Sequence, residues 1–147
     1  MGKQFSIEDG NLSVAPITTS VKRTNTDIDC SFERNLTTND VYKKTEAAAV
    51  RQSIKNLLMT NPGSVPFKPL YGGGLESLLF SLDTEIDEED IAEKVESQIR
   101  LFEPRAILRE VKADIRSDYN SVSITIIFQV INTPKVVTME LAIARAR

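Results

Sequence analysis

The chain has 147 residues, the length of one domain with its own core and too short for two. Its 18 basic and 21 acidic residues nearly cancel, so no global field gathers nucleic acid, and 41% apolar content excludes wholesale disorder. There is no histidine and Cys30 is the sole cysteine, which removes histidine triads, histidine or cysteine metal sites and an internal disulfide.

No cofactor or metal is expected, and the Cys30 thiol, read as buried or half-buried, suits a reducing compartment. No stretch reaches the roughly eighteen consecutive apolar residues of a membrane span, and no apolar signal region opens the chain. A soluble protein made in a cytoplasm, with neither membrane nor nucleic acid as partner, is the expectation. From Met1 to about Thr26 the residues are polar, rich in Ser, Thr and Asn, and hold no period for long. They predict an extended or disordered arm over residues 1-26, able to order along a neighbour, followed by one domain over 27-147. Thr26 to Asp29 and Leu36 to Val41 are turn-rich and predict ordered loop, with the aspartates bonded to local amides.

Thr45 stands where it can cap a helix that begins at Glu46, runs to about Thr60, and buries Ala47, Val50, Ile54, Leu57 and Leu58 at helical spacing. Asn61-Pro62-Gly63 stops it, because proline cannot continue the ladder and glycine takes the turn. A stiff Pro66 to Pro69 segment then runs into a flexible Gly72-Gly73-Gly74, with Phe67, Leu70 and Tyr71 expected to anchor the loop on the domain. The glycines do not make a phosphate loop: no Gly-Lys-Ser/Thr closes the run and no strand leads into it. Leu75, Leu78, Leu79 and Phe80 predict a short helical turn packed back on the core.

Eight acidic residues and one base, Lys94, lie between Asp83 and Glu96. A cation site or acidic docking face is one reading, but helix chemistry explains the run more simply. Asp87 can cap a helix, Glu88, Glu89 and Asp90 suit its positive end, and Glu96 is spaced to pair with Arg100. An alternating acid ladder with a central glycine, as a calcium loop requires, is missing. Ile91, Val95, Ile99 and Phe102 form the buried face. Glu103-Pro104-Arg105 comes next. Proline disfavours helical geometry at the residue before it, so the helix closes at Phe102 or Glu103 with an acid and a base on a stiff corner. On local pattern alone this is a helix stop flanked by two solvated side chains.

After the corner the period becomes two. Ile107, Val111, Ala113 and Ile115 share one face of a strand; Val122, Ile124, Ile126, Phe128 and Val130 share one face of the next; Val137, Met139, Leu141 and Ile143 make the third. Short turns at Ser117 to Asn120 and Asn132 to Pro134 imply antiparallel neighbours. The fold class is α+β: a three-stranded antiparallel meander packed against two main helices, with an extended N-terminal arm. The small, basic tail from Ala144 to Arg147 suits an exposed edge or a contact with an acidic partner.

Several of these pieces, in this order, resemble the gene-25-like baseplate wedge family: Ala49-Val50-Arg51-Gln52-Ser53-Ile54, Leu57-Leu58-Met59-Thr60, Pro62-Gly63, Pro66-Phe67-Lys68-Pro69, Tyr71-Gly72 and Glu103-Pro104-Arg105. The likeness runs from about Asp27 to the C-terminal residues. The family takes in baseplate assembly protein W of contractile-tailed phages and the TssE subunit of type VI secretion, and the first helix and the Pro-Phe-Lys-Pro segment look more like the phage branch. Val65 stands where the family often has a charge, and Gly73-Gly74 is richer in glycine than its loop.

The resemblance implies a structural wedge subunit of a contractile phage tail, located in the virion baseplate and assembled in the host cytoplasm. Its implied partners are other wedge subunits, bound through Glu103, Pro104 and Arg105, the tail tube it surrounds, and the tail sheath protein, whose first ring it nucleates by docking strands on the sheet edge. Arg105 would grip a partner's carboxylate with two prongs, Pro104 fixing the corner, so that replacing Glu103 or Arg105 would block assembly and leave the fold as stable as before. The family also carries a lysozyme label. Glycoside cleavage needs two carboxylates across a cleft, and no such pair or tryptophan platform stands out, so no enzyme is expected. A sheath-nucleating subunit of a type VI secretion-like contractile injection system is the remaining alternative.

Overall fold

The computed structural model describes residues 25–80, 87–116, 121–131 and 133–144, except for the side chains of residues 78–80. In chain order these form β1 (Thr26–Ile28), β2 (Lys43–Thr45), α1 (Glu46–Met59), α2 (Leu75–Phe80), α3 (Glu88–Phe102), β3 (Ala106–Arg116), β4 (Ser121–Val130) and β5 (Val136–Ala144). The expected arm lies almost wholly outside the described residues. So do Asp83, Glu85, the turn at Ser117 to Asn120, Asn132, the tail from Arg145, and the packing of Leu78, Leu79 and Phe80.

The expected meander is present, antiparallel and in the order β3-β4-β5, and the fold is α+β. Alternation puts Val122, Ile124, Ile126, Phe128 and Val130 on the inner face of the central strand, where Ile126 lies between Val111 and Met139. Helix α1 contributes Val50, Ile54, Leu57 and Leu58, and α3 contributes Ile91, Val95 and Ile99, to a single core over that face. Phe128, fully buried, is its largest side chain.

Ile107 departs from the expected pattern. Pairing between β3 and β4 slips between Leu108 and Glu110, so the extra residue Arg109 reverses the alternation. Ala106 is therefore buried and Leu108 half-buried, while Ile107 points outward at 45% exposure.

The loops before α1 are also more regular than their sequence suggests. Residues Thr26–Ile28 pair antiparallel with Lys43–Thr45, and an isolated bridge joins Arg34 to Val41. Thr45 is in this small sheet, with extended backbone, and its side chain makes no capping bond. Instead the Glu46 N–H donates to the Asn25 carbonyl at 2.7 Å. Asp87 is likewise at the N-cap position of α3 without a side-chain cap.

At the other end of α1 the glycines form a tight cap, not a flexible tether. The Gly73 N–H donates to Leu57 O and the Gly74 N–H to Thr60 O, each at 3.0 Å, satisfying carbonyls that the helix leaves without partners. Gly72 has φ +124, and a Cβ there would strike the Thr60 carbonyl oxygen. Close approach as well as backbone freedom therefore demands glycine. The loop preceding it is folded on itself, by Gly63 N–H to Pro69 O at 3.0 Å and Tyr71 N–H to Lys68 O at 3.1 Å. Phe67 and Leu70 are not anchors: Phe67, at φ 65, is wholly exposed and Leu70 is 71% exposed. Only Tyr71 turns inward, edge-on to Phe102 with ring centroids 5.2 Å apart.

Candidate functional site

The corner is assembled by the end of α3. The Glu103 N–H still donates to Ile99 O, at 2.8 Å, but its own φ of −125 and ψ of 72 leave the helix. Pro104 cannot re-enter it, and the Ala106 N–H turns back to Glu103 O at 3.1 Å as β3 begins. Pro104 is left exposed on the outside of the bend.

The two charges flanking it face each other and not the solvent. Arg105 donates from Nε to Glu103 Oε1 at 2.6 Å and from Nη2 to Glu103 Oε2 at 3.0 Å, a planar two-pronged pair. Its remaining arm, Nη1, reaches Asp27 Oδ2 at 3.0 Å, and its carbonyl accepts the Ile131 N–H at 3.0 Å. Glu103 is 3% exposed, the sole charged side chain in the buried core among the described residues. The fork predicted to grip a partner's carboxylate is thus occupied by two carboxylates of the same chain.

Burial acts to raise the Glu103 pKa. The Arg105 fork, a hydrogen bond with Ser53 on α1 and the arginine's charge outweigh it and hold the carboxyl below its usual range. Arg105 is pushed the other way, first by its hydrogen bond with Glu103 and, against burial, by Asp27. Tyr71 is raised by burial and by the nearby Glu103 charge. At neutral pH the site is an ionised brace that joins β1, α1, α3 and the β3–β4 end of the sheet. Glu103, ionised and held on both oxygens by Arg105, has no proton to give near neutrality.

A second polar cluster ties β1 to α1. Gln52 Nε2 donates to Ile28 O at 2.8 Å and to Cys30 Sγ at 2.9 Å, while Lys44 meets Asp29 at 2.9 Å. Lys44 and the Ser31 N–H hold the Asp29 pKa down. Cys30, expected buried or half-buried, is exposed. Asp27, Ser53 and Tyr71 join the corner without any signal of it in the local sequence pattern. Asp27 lies 78 residues from Arg105, so no local pattern links them, although Ser53 and Tyr71 both fall within the segments that carry the family resemblance.

A family model described as baseplate wedge protein gp25 matches residues 44–135. Baseplate wedge protein gp25 of Enterobacteria phage T4 is 29% identical over 96 residues, spanning 65% of this chain and 72% of that protein. A solved structure of a putative tail lysozyme from Geobacter sulfurreducens superposes with a TM-score of 0.55 at 22% identity, over 67% of this chain and 89% of the other. A chain of the anti-feeding prophage baseplate gives the same TM-score and identity over 81% of this chain and 84% of its own length. At that identity the two structures speak to fold alone, and lysozyme is the name of the Geobacter protein. The family match covers well over half of the chain and includes both the α1 motif and the corner: the chain belongs to the family of baseplate wedge protein gp25.

Proposed function

We propose that this chain is a non-enzymatic wedge subunit of a contractile phage tail, located in the virion baseplate and assembled in the host cytoplasm. It sits around the tail tube, meets other wedge subunits at the Glu103-Pro104-Arg105 corner, and offers a sheet edge on which strands of the first sheath ring dock. The observation that carries the reading is the braced corner. Its ion pair is satisfied internally, which leaves Pro104 exposed at a fixed angle on a bend tied to four elements. A rigid, exposed elbow suits a contact that must fit without rearrangement. Glycoside cleavage draws no support from the same residues, since Glu103 is held ionised when a general acid must keep its proton.

Mass spectrometry of purified tailed particles tests the assignment: the chain should be a stoichiometric component, and its absence from intact tails would refute it. Pro104→Ser tests the corner without touching its ion pair. Capture of wedge subunits by this variant should fall while its melting temperature stays near that of the parent. Unchanged capture would remove the corner from the interface.

A further inference from the structure

The sheet has two edges, and they differ. Helix α3 runs against β3, and Glu88 in its first turn accepts the Ile115 N–H at 3.0 Å, so a donor of this edge is already taken by a side chain. The bulge at Arg109 interrupts the ladder of the same strand. Both features blunt an edge against pairing.

Among the described residues the β5 edge instead opens on a cleft of about 600 Å³, with Met139, Glu140 and Leu141 on one side, Ala48, Arg51 and Lys55 of α1 on the other, and the segment from Asp29 to Ser31 between them. Those α1 residues recur at helical intervals, so they form one stripe along the cleft. Arg51 Nη2 reaches the Thr138 carbonyl at 3.4 Å, a long contact from an exposed side chain that an incoming N–H can replace. Lys44, also on the cleft, is already paired with Asp29, whereas Arg51 and Lys55 have no carboxylate within ion-pair distance among the described residues. Glu140 alternates with the buried Met139 and Leu141, so it belongs to the outer face of the sheet, where Ser123 Oγ bonds it at 3.2 Å.

We infer that the β5 edge receives an extended segment of a neighbouring chain that is acidic on its α1-facing side and free of acids on its outer side. This rests on the strand-docking reading above and adds to it the edge and the charge of what docks. Successive side chains of an added strand point to opposite faces. Carboxylates on the inner side therefore meet Arg51 and Lys55, and a carboxylate on the outer side would oppose Glu140. Main-chain bonds supply the pairing and the two cations of α1 select the partner.

The test uses the full chain and two acetylated ten-residue peptides, one alternating Glu and Thr and the other alternating Lys and Thr, followed by amide NMR and hydrogen exchange. The Glu-Thr peptide should shift and protect amides of Val136–Ala144. The R51E/K55E double variant should bind it about tenfold more weakly and prefer the Lys-Thr peptide. Both replaced side chains are exposed, so circular dichroism melts should match the parent. Protection of Ala106–Arg116 would keep strand docking and overturn the choice of edge. Equal binding of both peptides at β5 would overturn the charge assignment. If neither peptide protects either edge at millimolar concentration, the docking reading fails together with this one.

Discussion

Glu103 lies under the sheet end with its charge matched by a single arginine, so the first consequence of altering it is structural. Removing one partner of such a pair leaves the other uncompensated. Because Arg105 keeps Asp27 and its side chain is 30% exposed, the expected loss for Glu103→Ala is about 2–4 kcal/mol, toward the lower end of the range for a buried pair. This revises the expectation that the corner can be altered at constant stability, since that expectation assumed solvated side chains. Chemical denaturation of Glu103→Ala beside Asp27→Asn measures it. Asp27, the more exposed acid, should cost no more than about 1 kcal/mol. Stability should also depend on pH in a defined direction. The folded Glu103 pKa lies below the unfolded value of about 4.3, so its contribution is complete above that pH and is lost as pH falls through the folded value. Glu103→Gln should flatten that acid limb; an unchanged limb would show that other carboxylates carry it.

Elements built on long, unbroken periods were readable in the sequence: α1, α3 and the inner faces of β4 and β5 occur where alternation or helical spacing puts them. The errors have local causes. A one-residue bulge turned Ile107 outward, and the short β1–β2 pairing has too few residues to show a period. Backbone bonding within the loop presents Phe67 outward although its sidechain is apolar. In the corner, the bend was legible from Pro104, but the inward turn of both charges was not, because it depends on Asp27 and Ser53 from distant segments. Two substitutions test these element-level accounts. Gly72→Ala places a Cβ against the Thr60 carbonyl and strains a positive φ, so it should lower stability by well over 1 kcal/mol. Phe67→Gly relieves a positive φ and removes a side chain that contacts little of the domain, so the melting temperature should hold or rise slightly. A marked fall for Phe67→Gly would mean that the loop is anchored after all.

At the scale of the whole molecule, among the described residues the helices cover one face of a three-stranded sheet, and the β5 edge borders a cleft. That division suits a part that fits between others. It also bears on the lysozyme name attached to one structure of the same fold. A retaining or inverting glycosidase needs a protonated acid and a second carboxylate roughly 5–10 Å apart across a sugar cleft. At the corner, Glu103 and Asp27 both bind Arg105, so they share a cation and have no substrate space between them. The acids of the first turn of α3, Glu88, Glu89 and Asp90, are exposed to solvent, and Glu88 already accepts the Ile115 N–H. Along the β5 cleft the carboxylates are Asp29, held low by Lys44, and Glu140, bonded to Ser123. Purified protein should therefore release no soluble fragments from labelled peptidoglycan between pH 4 and 8. Release that disappears on replacing one carboxylate, in a variant that still melts like the parent, would identify a catalytic acid and overturn the structural reading.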